Sequence, residues 1–146
     1  AVAMGVRRKA RELAVQALYT ADLLGEWERD LEQLLPWGIE SAESLPFARR
    51  LLAGVLERRA EIDRRIESSS SHWSLDRMNV VDRNILRLAT FELLCCDDIP
   101  AKVSINEALE LAKTFADREA VSFLNGILDR VARSLPGRET PAERRS

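Results

Sequence analysis

The sequence predicts an all-α fold, a compact bundle of about six to seven helices joined by short connections. Apolar residues recur at helical spacing along most of the chain, and no segment alternates with period two for long enough to form a strand. Aromatic residues make up only 5% while Leu, Ala, Arg and Glu dominate, a composition that favours helices. The length of 146 residues suits a single domain, predicted over residues 1–136, with a disordered tail over 137–146.

The first half of the chain predicts three helices. The first spans residues 7–24 and ends at Gly25, because one face collects its apolar residues Ala10, Leu13, Ala14, Ala17, Leu18 and Ala21. A short second helix is predicted over residues 28–35. Pro46 suits the first turn of a long third helix, whose buried side is marked by Phe47, Leu51, Val55, Ile62 and Ile66. The serine run at 68–71 predicts the turn that follows.

The second half predicts three more helices. Asn79 is a favourable N-cap for a fourth helix, whose apolar residues cover nearly its whole circumference, as in a helix at the centre of a fold. Ser104 followed by Glu107 resembles a capping box, which predicts that the fifth helix opens there. The sixth helix carries Phe123, interpreted as a core residue, and Gly126, interpreted as permitting close helix packing or the approach of a ligand.

Composition and absent motifs narrow the function. The net charge is −2, so contact with nucleic acid would require a local basic patch. No apolar run approaches the roughly 20 residues of a membrane span and the N-terminus lacks a secretory pattern, so a cytoplasmic location is expected. The adjacent Cys95 and Cys96 and the single His72 supply no zinc-type ligand set, so reduced thiols and no metal or cofactor are expected. Without a P-loop, dinucleotide or hydrolase motif, a binding protein is favoured over an enzyme.

A basic cluster opens the first predicted helix, formed by Arg7, Arg8, Lys9 and Arg11. Cations at a helix N-terminus oppose the helix dipole, so a bound polyanion would explain their placement. Arginine suits phosphate because its planar group donates two hydrogen bonds at once. The alternative interpretation is an ordinary solvated face.

Three apolar residues of the first helix, Val15, Tyr19 and Leu23, project away from its small-residue face. An exposed stripe with an aromatic residue is typical of a partner-binding surface. The alternative is that the second helix or the loop after Gly25 covers the stripe. Asp82 lies in the first turn of the fourth helix. An acid at this position complements the helix dipole, and by itself it does not indicate a function.

Several segments in order along the chain resemble the NusB family of transcription antitermination factors. The opening RRKARELAVQALY at 7–19 carries the resemblance, and DIPAKVSINEA at 98–108 is its most specific part. The other matching segments are LLAGV at 51–55, VDRNILRLA at 81–89 and FLNGILD at 123–129. Together they cover residues 7–133.

The resemblance implies a fold of two helical sub-bundles and a role in processive antitermination. NusB proteins pair with the small-subunit ribosomal protein NusE, bind the boxA element of nascent RNA, notably on ribosomal RNA operons, and join NusA and NusG on RNA polymerase. Carried over by position, the RNA-binding residues are expected to be Arg7, Arg8, Lys9, Arg11, Gln16, Phe115 and Glu119. The NusE-binding residues are expected to be Tyr19 and Asp82, together with Val15 and Leu23 of the stripe.

This chain departs from the usual family pattern at three positions. Ala101 stands where the family often has Tyr, and Ala120 and Ser122 stand where it often has Ser and then a basic residue. The missing cation puts the contribution of the sixth helix to RNA affinity in doubt. Two other functions stay open at this point: a helical protein–protein adaptor or homodimer, and a domain associated with an RNA methyltransferase but without its catalytic part.

Overall fold

A computed structural model describes residues 4–28, 30–35, 42–71 and 73–138. Within these ranges the chain is all-α, with two short 3-10 turns at Ala42–Ser44 and Leu75–Arg77 and no strand. The six α-helices in chain order are α1 (Met4–Leu24), α2 (Leu31–Leu34), α3 (Leu45–Ser69), α4 (Val80–Cys95), α5 (Ala101–Phe115) and α6 (Arg118–Arg133). The all-α prediction is confirmed. Five helices are long, slightly fewer than predicted, because α2 forms only a single turn.

The central position predicted for the fourth helix is confirmed. Every residue of α4 from 84 to 93 is buried, and α4 packs against α1, α3, α5 and α6. It therefore lies at the centre of the bundle, between α1, α3, α5 and α6. Asn79 caps the helix as predicted, because its side-chain oxygen accepts hydrogen bonds from the backbone N–H groups of Val81 and Asp82.

Several helix boundaries differ from the prediction. Helix α1 begins at Met4, earlier than predicted, and α3 continues to Ser69, so only Ser70 and Ser71 form the turn. The predicted capping box in α5 is wrong, because that helix begins at Ala101 with Pro100 as its N-cap. Ser104 and Glu107 are buried within α5 and bond to other helices instead of to their own backbone.

Close helix packing occurs at a glycine other than the predicted one. A Cβ atom on Gly54 of α3 would lie 2.1 Å from the ring of Phe91 in α4, so only glycine fits there. A Cβ atom on Gly126 would meet only the Arg130 side chain, at 3.9 Å, so the close-packing interpretation of Gly126 is wrong. Phe123 is 40% exposed, so its assignment to the core is also wrong.

A charge network holds the C-terminal end of α1 against α3 and α4. Asp22 accepts hydrogen bonds from Arg83, Asn84 and Arg87, at 2.6 to 2.8 Å, and Arg87 also donates to Asp63. Burial acts to raise the pKa of Asp22, but the hydrogen bonds from Arg83 and Asn84 outweigh it and hold that pKa below its ordinary value. These contacts fix the orientation of α1, which carries most of the candidate site.

The remaining predictions about cysteines and the C-terminus have mixed outcomes. Cys95 and Cys96 are free thiols, as expected, and burial raises the pKa of Cys96 to about 11. The predicted tail at 137–146 is wrong for its first residues, because the Arg138 guanidinium donates to the carbonyls of Glu92 and Ile99. Residues 139–146 and His72 lie outside the described residues. No helix in the described ranges is long and apolar enough to cross a membrane.

Candidate nucleic-acid and partner interface

The basic cluster of α1 divides into a buried part and an exposed part. Arg11 is only 3% exposed, and its guanidinium donates two hydrogen bonds of 2.8 Å to the buried Glu92 and one of 3.4 Å to Glu107. It is therefore not presented to solvent, which corrects its place among the expected RNA-binding residues. The physical reason is that two buried carboxylates require an ionic partner, and Arg11 supplies it.

The same network holds one of the exposed cations. Glu107 accepts two hydrogen bonds from Arg8, at 3.2 and 2.8 Å, and the Ser104 hydroxyl donates to Glu92 at 2.9 Å. The hydrogen bond to Glu107 raises the pKa of Arg8. Because Glu107 joins Arg8 to the buried Arg11, the network fixes the direction in which Arg8 leaves the surface.

The half-buried Arg7 and the exposed Lys9 complete the solvent-facing side of the cluster. The Arg7 guanidinium lies 4.7 Å from the centre of the Phe47 ring and 3.7 Å from Asp98, while Lys9 pairs with Glu12 at 3.8 Å. Since α1 begins at Met4 and these cations have acidic neighbours, the helix dipole gives less reason for a bound polyanion than the sequence predicted. The stronger observation is that three cations share one exposed end of α1.

The predicted apolar stripe on α1 is only partly exposed. Tyr19 and Leu23 are 39% and 60% exposed, which confirms their outward projection. Val15 is only 4% exposed, which corrects its expected place on the outer surface. It instead forms the floor of a groove of about 410 Å³ between α1, the start of α4 and the end of α5. The groove is lined by Val15, Gln16, Tyr19, Thr20, Val81 and Phe115.

Asp82 lies in the first turn of α4, next to Val81 of the groove. Its Oδ1 atom is buried and has no hydrogen-bond partner among the described residues. Burial, followed by the charge of Asp117, raises the pKa of Asp82. A carboxylate in this state is favourably placed to accept a donor or a cation from a binding partner.

Helices α5 and α6 enclose a second groove that the sequence did not predict. Its volume is about 750 Å³, and its lining includes the cations Lys113 and Arg118. Glu119 is exposed close by in the first turn of α6, as expected for a residue that contacts a ligand. The departing residue Ser122 also lines this groove, whereas Ala101 and Ala120 are buried. The signal in the sequence for this groove is the i, i+4 spacing of Leu109 and Lys113, which places both residues on the face of α5 that forms one wall of the groove.

Comparison with known proteins decides the family. A profile of the NusB family matches residues 8–133. The chain belongs to the NusB family. It is 50% identical to the transcription antitermination protein NusB of Trichlorobacter lovleyi over 127 residues, which are 86% of this chain and 89% of that one.

Solved structures of NusB proteins agree with the fold. NusB of T. maritima superposes with a TM-score of 0.77 at 38% identity, covering 94% of each chain. A structure of the antitermination factors NusB and NusE in complex with dsRNA superposes with a TM-score of 0.80 at 28% identity, covering 91% of this chain and 100% of that one. In that structure the NusB chain therefore occurs with both a protein partner and RNA.

Proposed function

We propose that this NusB-family chain is a transcription antitermination factor that binds boxA RNA together with NusE, notably on ribosomal RNA operons. The observation that carries the proposal is that one helix, α1, carries both the cations at its start and, further along, the groove lined by Gln16, Tyr19 and Phe115, with Asp82 next to the groove residue Val81. Relatives named transcription antitermination protein NusB and the solved complex with NusE and RNA support it.

RNA would contact the exposed cations and the polar end of the first groove. Arg7, Arg8 and Lys9 would meet phosphates, while Gln16 and Phe115 would meet bases by hydrogen bonding and stacking. Glu119 lies in the first turn of α6, shortly after Phe115 in the chain, and would modulate the affinity for RNA. Arg11 acts as a positioning residue through Glu107 and Arg8. The exposed Phe123, on α6 with Glu119, adds an aromatic face for a base.

NusE would occupy the other side of the groove. Tyr19 and Leu23 offer an apolar surface, with Val15 as its buried floor. The unpartnered oxygen of Asp82 would accept a hydrogen bond from NusE. Because the protein and RNA surfaces meet at Gln16 and Phe115, one partner can complete the binding site of the other.

The wider role proposed for this chain is that of an adaptor that binds other molecules without catalysing a reaction. The chain would join RNA polymerase with NusA and NusG in the bacterial cytoplasm, as an adaptor and not an enzyme. The relatives at 48 to 50% identity are named transcription antitermination protein NusB, which favours this role over that of a methyltransferase-associated domain.

A homodimer through the same surface is the second candidate, and the exposure of Tyr19 and Leu23 favours it. Light scattering of the wild type and of Tyr19→Asp separates the two. If this surface forms a dimer, Tyr19→Asp gives a monomer. A dimer that persists in the variant does not use the surface.

The proposed function is tested by fluorescence anisotropy of labelled boxA RNA at two salt concentrations, with and without NusE. About three phosphate contacts predict a slope of log affinity against log salt of roughly −2, at ~0.7 for each contact in single-stranded RNA. Affinity should also rise when NusE is added. Equal binding of boxA and a scrambled RNA, with or without NusE, would refute the proposal.

A further inference from the structure

A basic cleft lies at the opposite end of α3 from the candidate RNA surface. It has a volume of about 620 Å³ and lies between the last turns of α3 and of α6. Ser44, just before α3, donates to the Val6 carbonyl near the start of α1, so the beginning of α3 lies beside the basic cluster. Fourteen residues separate Arg50 from Arg64, which corresponds to about 20 Å along the helix. The cleft is lined by Glu61, Arg64, Arg65, Ser68, Ser69, Arg130 and Ser134.

The spacing of these residues creates the cleft. Positions 61, 64, 65 and 68 share one face of α3, and positions 130 and 134 share one face of α6. Arg130 is fixed by a hydrogen bond of 2.5 Å from its Nε to the Ser69 carbonyl, and its side chain lines the cleft. Arginine groups from two helices thus converge on one open, polar surface.

The charge of the cleft is not neutralised from within. In the part of the chain that the structure describes, Arg64, Arg65 and Arg130 have no carboxylate partner, whereas Glu61 in the cleft wall pairs with Arg58 at 3.5 Å. By contrast, the exposed Arg50 and Arg133 pair with Asp98 and Asp129. Three unpaired arginines in one concave site repel each other, so an anionic ligand would stabilise their arrangement.

We propose that this cleft binds the phosphodiester backbone of RNA that flanks the element held at α1. The inference rests on the proposed RNA-binding function and extends it to a second, sequence-independent contact. Planar guanidinium groups match phosphate oxygens, and the serine hydroxyl oxygens beside them suit a hydrated backbone. Among the described residues, no aromatic side chain lines the cleft, so the described lining offers charge to phosphates and no ring on which a base could stack.

The test compares two RNAs: the boxA element alone and the same element extended by about 20 nucleotides of unrelated sequence. The variant is Arg64→Gln with Arg65→Gln. The control is Arg59→Gln with Arg77→Gln, which removes the same charge from two arginines that lie over tryptophan rings outside the cleft. Arg130 is left intact because it bonds to the α3 backbone. Thermal melting confirms that each protein is folded.

The wild type and the control should bind the extended RNA more tightly than the short one, and the cleft variant should lose that gain while binding the short RNA normally. Removing two phosphate contacts should make the slope of log affinity against log salt shallower by about 1.4 for the extended RNA. A fourfold rise in salt should therefore lower the affinity of the cleft variant about sevenfold less than that of the wild type. No gain from the extension, or an equal gain in the cleft variant, overturns the proposal. Failure of the short RNA to bind refutes the proposed function separately.

Discussion

Replacing Arg11 distinguishes most clearly between a residue that contacts RNA and a residue that only supports the structure. Replacing it with Met keeps much of the side-chain volume but leaves the buried Glu92 without its two hydrogen bonds of 2.8 Å. Breaking a buried ion pair from one side costs about 3–5 kcal/mol, because the remaining charge stays desolvated. At roughly 2–4 °C for each kcal/mol in a chain of this size, Arg11→Met should lower Tm by about 10 °C.

Lys9→Met is the matched control, because it removes one cation from the same helix. Its ion pair with Glu12 is exposed and contributes less than about 1 kcal/mol, so Tm should change by no more than about 4 °C while RNA affinity falls. Calorimetry and RNA anisotropy on the same samples give both quantities. An Arg11→Met variant that melts like the wild type, yet loses as much RNA affinity as Lys9→Met, would refute the reasoning and make Arg11 a direct phosphate contact.

Three further predictions concern the fold. Gly54→Ala should destabilise the chain by about 2 kcal/mol or more, because its Cβ atom would overlap the Phe91 ring; an unchanged denaturation midpoint would contradict that packing. Asn79→Ala should cost about 1 kcal/mol through the lost cap of α4, measured by urea unfolding, whereas Asn79→Asp should retain most of the stability. The lowered pKa of Asp22 means that its carboxylate stabilises the fold above the ordinary pKa near 3.8, and that this contribution is lost as pH falls through the lower folded value. Unfolding free energy measured from pH 6 downward should therefore fall less steeply in Asp22→Asn than in the wild type, and parallel curves would exclude the effect.

Much of the fold could be predicted from the sequence because the signals that start, end and bury a helix act over short stretches of chain. The cap at Asn79, the proline in the first turn of α3 and the apolar circumference of α4 each act within one or two helical turns, and each is confirmed. Helical spacing likewise predicted the outward direction of Tyr19. The family resemblance located the segments that form the candidate site, although the RNA and NusE roles of individual residues stay predictions.

Tertiary packing decided which polar and apolar side chains near these segments reach solvent. Helical spacing gives the angle between two residues of one helix, but the width of the buried arc depends on the neighbouring helices. Helix α1 lies against α3, α4 and α5, so its buried arc extends to Val15 and Arg11. On α6, by contrast, the buried arc does not include Phe123, which is exposed. Ser104 and Glu107 fit a capping box equally well by spacing, yet the buried charge at Glu92 and Arg11 determined their contacts, because pairing a desolvated charge outweighs a local cap.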